Sequence, residues 1–253
     1  MIDIVYGIPL LSLISSVCFY KGLKYFQNTY NYNLEVSQCS VALCHDIYIS
    51  SMAVLYLNNY ISDYTWSMGN GISLGYAIYD FIPQYLIGKK YSVMIHHIVM
   101  VSIYLNPTLV YFNLIRKSNF TYITSNNLIA RTSLCEIPSV CLSISFILYK
   151  LKKSDTLLFK IVSILLLITY IPFRLINFPI IAYKLLNIDP YYYSTICITI
   201  FTLLSYYWYY YLVKKVLNIN DNSKSNKNSK LNINSNVNGN SNINYIEKKI
   251  KQV

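Results

Sequence analysis

Charged residues are scarce in this 253-residue chain, and so are the residues that usually form loops. Only 12% of the residues are charged, about half of the roughly 25% that is usual in soluble domains. Seven glycines and seven prolines stand against 28 tyrosines and 10 phenylalanines, and 55% of all residues are hydrophobic. These shortages argue against a loop-rich soluble protein. The apolar residues come in blocks of about twenty, the length that crosses about 30 Å of hydrocarbon, so we predict an all-α, polytopic bundle of transmembrane helices.

Paired cysteines and the common metal-ligand spacings are also absent from the sequence. The six cysteines form no C-x-x-C pair and lie within or beside apolar segments, as small buried hydrophobic residues do. No spacing such as HExxH joins the three histidines, so we predict no metal ion and no cofactor, and keep a metal site as a minor alternative. No repeat and no inverted pair of broken helices is visible, which disfavours a transporter.

The formal net charge of +11 does not require a nucleic-acid partner. Eight of the 21 lysines and arginines follow Val213, and most of the others lie in short loops between apolar segments. This distribution is typical of the positive-inside rule of membrane proteins. We therefore predict that the chain binds no nucleic acid.

Seven apolar segments predict seven transmembrane spans. Two prolines, Pro172 and Pro179, predict bends in the sixth span. Polar connectors are predicted before the second and third spans, over Gln27–Gln38 and Asn58–Asn70. The predicted spans are Ile4–Tyr20, Cys39–Leu57, Gly71–Gly88, Ser92–Leu105 (which can continue past Pro107 as a kinked helix to Ile115), Asn126–Leu148, Ile161–Tyr183 and Ser194–Val213.

Two signals agree on an N-terminus outside the cytosol. With seven spans in that orientation, 16 of the 21 basic residues fall in cytosolic segments. The only acceptor sequon, Asn119-Phe120-Thr121, then falls in a loop on the outside face, so we predict a glycan on Asn119. The N-terminus is lumenal and the C-terminus cytosolic in this arrangement.

The end of the chain is rich in Asn, Ser and Lys and poor in apolar residues, which predicts disorder. We divide the chain into an N-terminal transmembrane helix with its connector (residues 1–34), a membrane domain (35–217) and a disordered cytosolic tail (218–253). Lys249 and Lys251 look like the lysine-based retrieval signal of endoplasmic reticulum membrane proteins. That signal predicts that the protein resides in the endoplasmic reticulum membrane and that the coat-protein retrieval machinery is a partner. A lysine-rich tail can also place two lysines there by chance.

Besides Arg131, seven ionisable residues lie in five predicted spans, at depths that overlap in the proposed topology. Such groups are costly in hydrocarbon and usually face the interior of a helix bundle. We therefore predict one polar cavity between the helices, open towards the cytosolic side. The residues are His45, Asp46, Asp80, His96, His97, Glu136 and Arg174.

Asp80 and the adjacent pair His96 and His97 form the centre of this prediction. The third and fourth spans make a hairpin that turns near residue 90, so Asp80 lies about 15 Å and the histidines about 10 Å from the turn. Adjacent helical residues point about 100° apart, so one histidine can contact Asp80 while the other faces the cavity. A carboxylate that holds one imidazole nitrogen leaves the other as a base or nucleophile.

A structural explanation stands beside the catalytic one for each of these residues. Buried polar groups often only tie helices together, at about 0.6–2 kcal/mol per hydrogen bond. Glu136, just before a helix-bending proline, and the adjacent His45 and Asp46 favour structural roles. Arg174 is expected to neutralise Glu136 or Asp80, because an unpaired buried charge is costly.

Five segments, in this order along the chain, carry a family resemblance: ALCHDIYIS, SLGYAIYDFI, MIHHIV, CEIPSVCLSISFIL and ITYIPFRLINFP. Together they resemble the TLC-domain (TRAM/Lag/CLN homology) membrane proteins over about Glu35–Leu217, and most of all the transmembrane protein 56-like branch. The resemblance implies a helix bundle around a lipid-sized cavity in the endoplasmic reticulum or a nearby membrane. That branch is linked to membrane lipid composition.

The same family contains the ceramide synthases, whose histidine pair matches His96 and His97. In those enzymes the pair accepts an acyl group from acyl-CoA and passes it to a sphingoid amine, a role that the resemblance would transfer to this pair. The synthases carry a His-Asp-x-x-Asp-type motif on the next helix, where this chain has Glu136-Ile137-Pro138.

Two classes of function follow. The first is a lipid-homeostasis protein that binds a membrane lipid or acyl chain in the cavity. The second is an acyl-CoA-dependent acyltransferase with His96 or His97 as nucleophile or base and Asp80 as the orienting group. The missing second acidic motif favours the first. The identity of the lipid and the oligomeric state, a homo-oligomer included, stay open.

Overall fold

A computed structural model describes residues 2–88, 91–111, 122–187 and 193–233. The described residues contain α-helices and one π-helical turn but no β-strand, which confirms the all-α prediction. The helices are α1 (Ile2–Tyr30), α2 (Leu34–Leu57), α3 (Asp63–Leu86), α4 (Tyr91–Tyr111), α5 (Tyr122–Ser133), α6 (Glu136–Lys150), α7 (Leu157–Tyr170), α8 (Asn177–Leu186) and α9 (Tyr193–Ile233), and the π-helical turn Ile171–Ile176 joins α7 to α8.

The first helices are longer and their connectors shorter than the sequence predicts. The predicted connectors Gln27–Gln38 and Asn58–Asn70 are wrong over most of their length, because α1, α2 and α3 extend into them. Capping explains the early starts of α2 and α3. Asn33 and Ser62 each accept a hydrogen bond from the backbone N–H three residues further on, at 2.9 and 3.2 Å.

The predicted fifth span is not one continuous helix. It is broken into α5 and α6 at Leu134 and Cys135. Pro138 explains the break, since it lacks an N–H and its ring clashes with the carbonyl four residues earlier, which is that of Leu134. Proline is tolerated in the first turn of a helix, so α6 can restart at Glu136.

The predicted bend at Pro172 takes the form of the π-helical turn. The N–H of Asn177 bonds to the carbonyl of Pro172, five residues earlier, instead of four as in an α-helix. The second proline, Pro179, lies in the first turn of α8, which follows the π-helical turn without a gap, so the proline has no N–H to donate to the carbonyls of that turn. Arg174 belongs to the π-helical turn.

Four helical segments among the described residues are long and apolar enough to cross a membrane. A fifth, Tyr91–Tyr104, is apolar but shorter. These lengths are compatible with a membrane protein, whereas the count of seven spans stays a prediction. The four segments are Leu34–Leu57, Asn126–Lys150, Leu157–Leu186 and Ser194–Lys214.

Small residues bring α1 close to α3. Ser12 Oγ donates to the carbonyl of Gly71 at 2.9 Å, and Ser16 Oγ donates to the carbonyl of Gly75 at 2.8 Å. A Cβ atom at Gly75 would collide with the backbone carbonyl of Ser12. The predicted N-terminal helix is therefore packed on α3 through a close approach of the two backbones.

The middle helices surround the region where the ionisable residues lie. α2 packs against α3 and α6, and α3 packs against α4. The larger apolar cluster joins these helices to α5, α8 and α9, with fully buried members such as Ile49 and Trp66. It fills the bundle beside the polar residues and fixes the positions of the helices that carry them.

Contacts divide the chain into two compact units, residues 1–207 and 208–253. The described part of the second unit is the continuation of α9 to Ile233, and the disorder predicted for residues 218–253 stays a prediction. Extending an existing helix costs less than starting one, so a polar segment can follow an apolar helix. Residues 89–90, where the hairpin of the third and fourth spans is predicted to turn, lie outside the described residues, as do the predicted glycan on Asn119 and the retrieval lysines Lys249 and Lys251.

Candidate functional site

A cavity of about 330 Å³ lies between α2, α3, α4 and α6. On α2 the lining extends from Gln38 to Asp46, and on α6 from Glu136 to Phe146. At 1.5 Å per residue, the cavity is therefore elongated along the helices by about 12–15 Å. Six of the seven ionisable residues predicted to share a cavity line it, namely His45, Asp46, Asp80, His96, His97 and Glu136.

Asp80 is the best-bonded carboxylate in the cavity and is only 1% exposed. Its oxygens accept hydrogen bonds from Gln38 Nε2 at 2.6 Å and from Gln84 Nε2 at 3.0 Å. His97 Nε2 lies 2.8 Å from Asp80 Oδ2, so His97 is the histidine that contacts Asp80. These bonds connect α2, α3 and α4 at one buried point.

The two histidines of the pair have different surroundings. Because Nε2 of His97 donates to Asp80, the hydrogen-bond pattern assigns the lone pair of the neutral ring to Nδ1. That Nδ1 atom is buried and has no hydrogen-bond partner among the described residues. His96 instead packs its ring on Phe201 of α9, with 4.9 Å between the ring centroids. Both rings line the cavity.

His45 and Asp46 form a second imidazole–carboxylate pair on the cavity wall. His45 Nδ1 lies 3.6 Å from Asp46 Oδ1. The His45 ring stacks on Tyr76 of α3, with 3.9 Å between centroids and 9° between planes. Asp46 Oδ2 accepts a hydrogen bond from Ser143 Oγ of α6 at 3.1 Å. The pair therefore joins α2 to α3 and α6.

Arg174 lies behind the cavity and reaches it through Glu136. Its Nη2 atom is 3.6 Å from Glu136 Oε2 and 2.6 Å from Ser139 Oγ. Its Nε–H donates to the carbonyl of Cys135 at 3.0 Å. Of the two carboxylates predicted to neutralise Arg174, Glu136 is the one in contact. The Cys135 carbonyl belongs to the helix break ahead of Pro138, so the guanidinium satisfies a backbone acceptor at the break.

The sequence prediction misses two of the residues that hold Asp80. Gln84 lies four residues after Asp80, the spacing of neighbours on a helix face, and this spacing could have indicated it. Gln38 falls in the segment predicted as a polar connector, so no helical position could be assigned to it. Tyr76 and Ser143 are likewise contacts that only the packing of neighbouring helices reveals.

The cavity combines acid–base groups with apolar walls. Ala42, Met100, Leu142 and Phe146 contribute apolar surface beside the ionisable residues. An amphipathic molecule, with a polar head and an apolar tail, matches both kinds of surface. Within the described part of the chain, no group of three or more His, Cys, Asp or Glu residues is placed to hold a metal ion.

Comparison with known proteins gives no family assignment. No protein-family model, no curated protein and no solved structure matches the chain. The resemblance to TLC-domain proteins depends on the five sequence segments alone and stays a prediction.

Proposed function

We propose that the chain is a multi-pass membrane protein of the TLC type that binds a lipid or acyl chain between α2, α3, α4 and α6. The observation that carries this proposal is the elongated cavity itself. Its volume of about 330 Å³ is within the roughly 300–1,000 Å³ of small-molecule sites. The buried ionisable groups suit a polar head and the apolar walls suit a chain. The protein acts in lipid homeostasis by holding this molecule.

The proposal includes seven spans in the endoplasmic reticulum membrane, with a lumenal N-terminus. Support comes from seven helical segments in the described residues: α1, α2, α3, α4, α5 with α6, α7 with α8, and α9. Four of them contain the segments that are long and apolar enough to cross a membrane, and α4 contains the shorter apolar segment Tyr91–Tyr104. The basic residues that follow the first span and crowd the tail favour this orientation.

Lipid bound to the purified protein tests the proposal. We expect a defined lipid or acyl species to co-purify in detergent, and mass spectrometry of the extract identifies it. Met100→Trp and Ala42→Leu place larger side chains on the cavity wall and should remove that species. Leu165→Trp, at an exposed position of α7, is the matched control and should keep it. Unchanged lipid content in cavity variants with unchanged melting temperature contradicts the proposal.

A second candidate, acyl transfer, is favoured by the contact between Asp80 and His97. With Nε2 held by Asp80, Nδ1 of His97 can attack the carbonyl of an acyl thioester such as acyl-CoA. The bond between the acyl carbon and sulfur breaks, and the acyl group passes from His97 to an amine. The proton that the amine loses ends on the CoA thiolate. Glu136-Ile137-Pro138, which replaces the second acidic motif of the synthases, places this candidate second.

Labelled acyl-CoA and a sphingoid amine distinguish the two candidates. If the protein only binds lipid, no labelled amide forms with any chain length. Amide formation that is lost in His97→Ala or His96→Ala, and kept in Leu165→Trp, would place the enzyme first. In that case Asp80→Asn should also lower the rate, since it removes the carboxylate that orients His97.

A further inference from the structure

We propose that the cavity exchanges its occupant sideways with the membrane, through a gap between α4 and α6, and that the occupant is a bilayer lipid. This inference rests on the proposed function and adds the source of the ligand and its route. It follows from which walls of the cavity are closed, which lining residues are exposed, and how deep in the bundle they lie.

Three of the four walls are closed by helix packing. α2 packs directly against α6 and α3, and α3 packs directly against α4. The described residues show no extended packing between α4 and α6. Behind this fourth side, Arg174 contacts Glu136 and Phe201 contacts His96, so the far end of the gap is covered.

The lining residues of α6 that border the gap are partly exposed. Ser139, Leu142 and Phe146 line the cavity and follow one face of the helix at spacings of three and four residues. Leu142 is 45% exposed although it is a lining residue, and the other two are partly exposed. His96, on the α4 side, is also partly exposed. These side chains can therefore be reached from outside the bundle.

The depth of Leu142 indicates what lies outside the gap. α6 ends at Lys150, which pairs with Glu35 at the start of α2. A charged pair at helix ends is expected near the membrane surface, because charges are costly at greater depth. Leu142 lies eight residues before Lys150, about 12 Å further in. At that depth a side opening faces lipid chains, whereas the Glu35–Lys150 contact connects α2 and α6 at the aqueous end.

Photocrosslinking in vesicles tests the route. A phospholipid with a diazirine near the end of its acyl chain is supplied from donor vesicles, and samples are irradiated over time. Mass spectrometry then locates adducts on Gln38 and Met100, which line the cavity and are buried. We expect adducts there in the unchanged protein. Leu142→Trp should slow their appearance by about tenfold, or about 1.4 kcal/mol in activation free energy.

Two further variants separate the route from lipid binding. Leu142→Ala widens the gap and should make the adducts appear faster. Ile144→Trp is the control, since Ile144 is on the same helix and outside the cavity lining, and its rate should be unchanged. Absence of adducts on Gln38 and Met100 in the unchanged protein overturns the proposed function. Adducts that appear equally fast in all Leu142 variants overturn the sideways route and leave lipid binding intact.

Discussion

At the scale of single residues, Asp80 is held by amide and imidazole donors rather than by a lysine or arginine. Two amides, from Gln38 and Gln84, and the imidazole of His97 donate to its carboxylate. Each donor would be left unpaired in a buried site without the carboxylate. An unpaired buried donor costs about 1–3 kcal/mol, so Asp80 supports the fold whether or not His97 performs chemistry.

Replacing Asp80 should therefore destabilise the protein strongly. For Asp80→Leu we expect the free energy of unfolding to fall by at least about 3 kcal/mol, since three buried donors lose their acceptor at about 1–3 kcal/mol each. Asp80→Asn keeps one acceptor oxygen and should cost less. Unfolding in detergent micelles, followed by circular dichroism, measures both. Adding His97→Leu to Asp80→Leu should recover part of the loss, and equal stabilities of the Leu and Asn variants would contradict this account.

Arg174 should not be replaceable by lysine. Its guanidinium serves the Glu136 carboxylate, Ser139 and the Cys135 carbonyl at once, whereas an ammonium group lacks the planar fork. We expect Arg174→Lys to lower the free energy of unfolding by about 1.5–3 kcal/mol, the value of a hydrogen bond to a charged group. Arg131→Lys is the control, since the Arg131 side chain is exposed. Similar melting temperatures for the two variants would contradict the prediction.

At the scale of the helices, the contact between α1 and α3 depends on the absence of side-chain atoms. Gly75 lies against the Ser12 carbonyl, which leaves no room for a Cβ atom. Further along α1, Gly22 has Val41 as its nearest neighbour, and a Cβ atom there would lie 3.7 Å from the Val41 side chain. The two glycines are both helical, but only Gly75 is required by packing.

This difference predicts opposite results for the same substitution. Gly75→Ala should push α1 away from α3 and cost about 1–3 kcal/mol, as overpacking does. Gly22→Ala should be neutral or stabilising by up to about 1 kcal/mol, because alanine is the better helix former. Thermal unfolding in detergent measures both changes. Faster proteolysis of the α1–α2 connector in Gly75→Ala alone would support the displacement, and equal effects of the two substitutions would refute it.

At the scale of the whole molecule, one further prediction concerns topology. If seven spans place residue 119 in the lumen, expression in cells that glycosylate should give a gel shift that a glycosidase removes. The shift should disappear in Asn119→Gln and persist in Asn106→Gln, because Pro107 prevents modification of Asn106. Labelling of the 112–121 segment from the cytosolic side would show that the predicted span count is wrong.

Much of the helical arrangement, but less of the site, could be predicted from the sequence. Apolar blocks predict where helices lie, and helical spacing predicts the contact of Asp80 with one neighbouring histidine. The break at Leu134-Cys135 is harder to predict from the sequence, because it depends on the clash of Pro138 with the carbonyl four residues earlier. Gln38 could not be placed, since polar residues at helix ends look the same as loop residues until a cap such as Asn33 is recognised.

The π-helical turn at Ile171–Ile176 sets the rotational phase of everything that follows it in the same span. Each residue of an α-helix adds a rotation of about 100°. Inserting or removing one residue therefore rotates the side chains of the next segment to a different face. Arg174 and Asn177 reach the carbonyls of Cys135 and Arg131 on the facing helices. A version of this chain shortened by one residue in that turn would aim the two side chains elsewhere. A change in the length of the π-helical turn therefore requires a matching change at the break between α5 and α6.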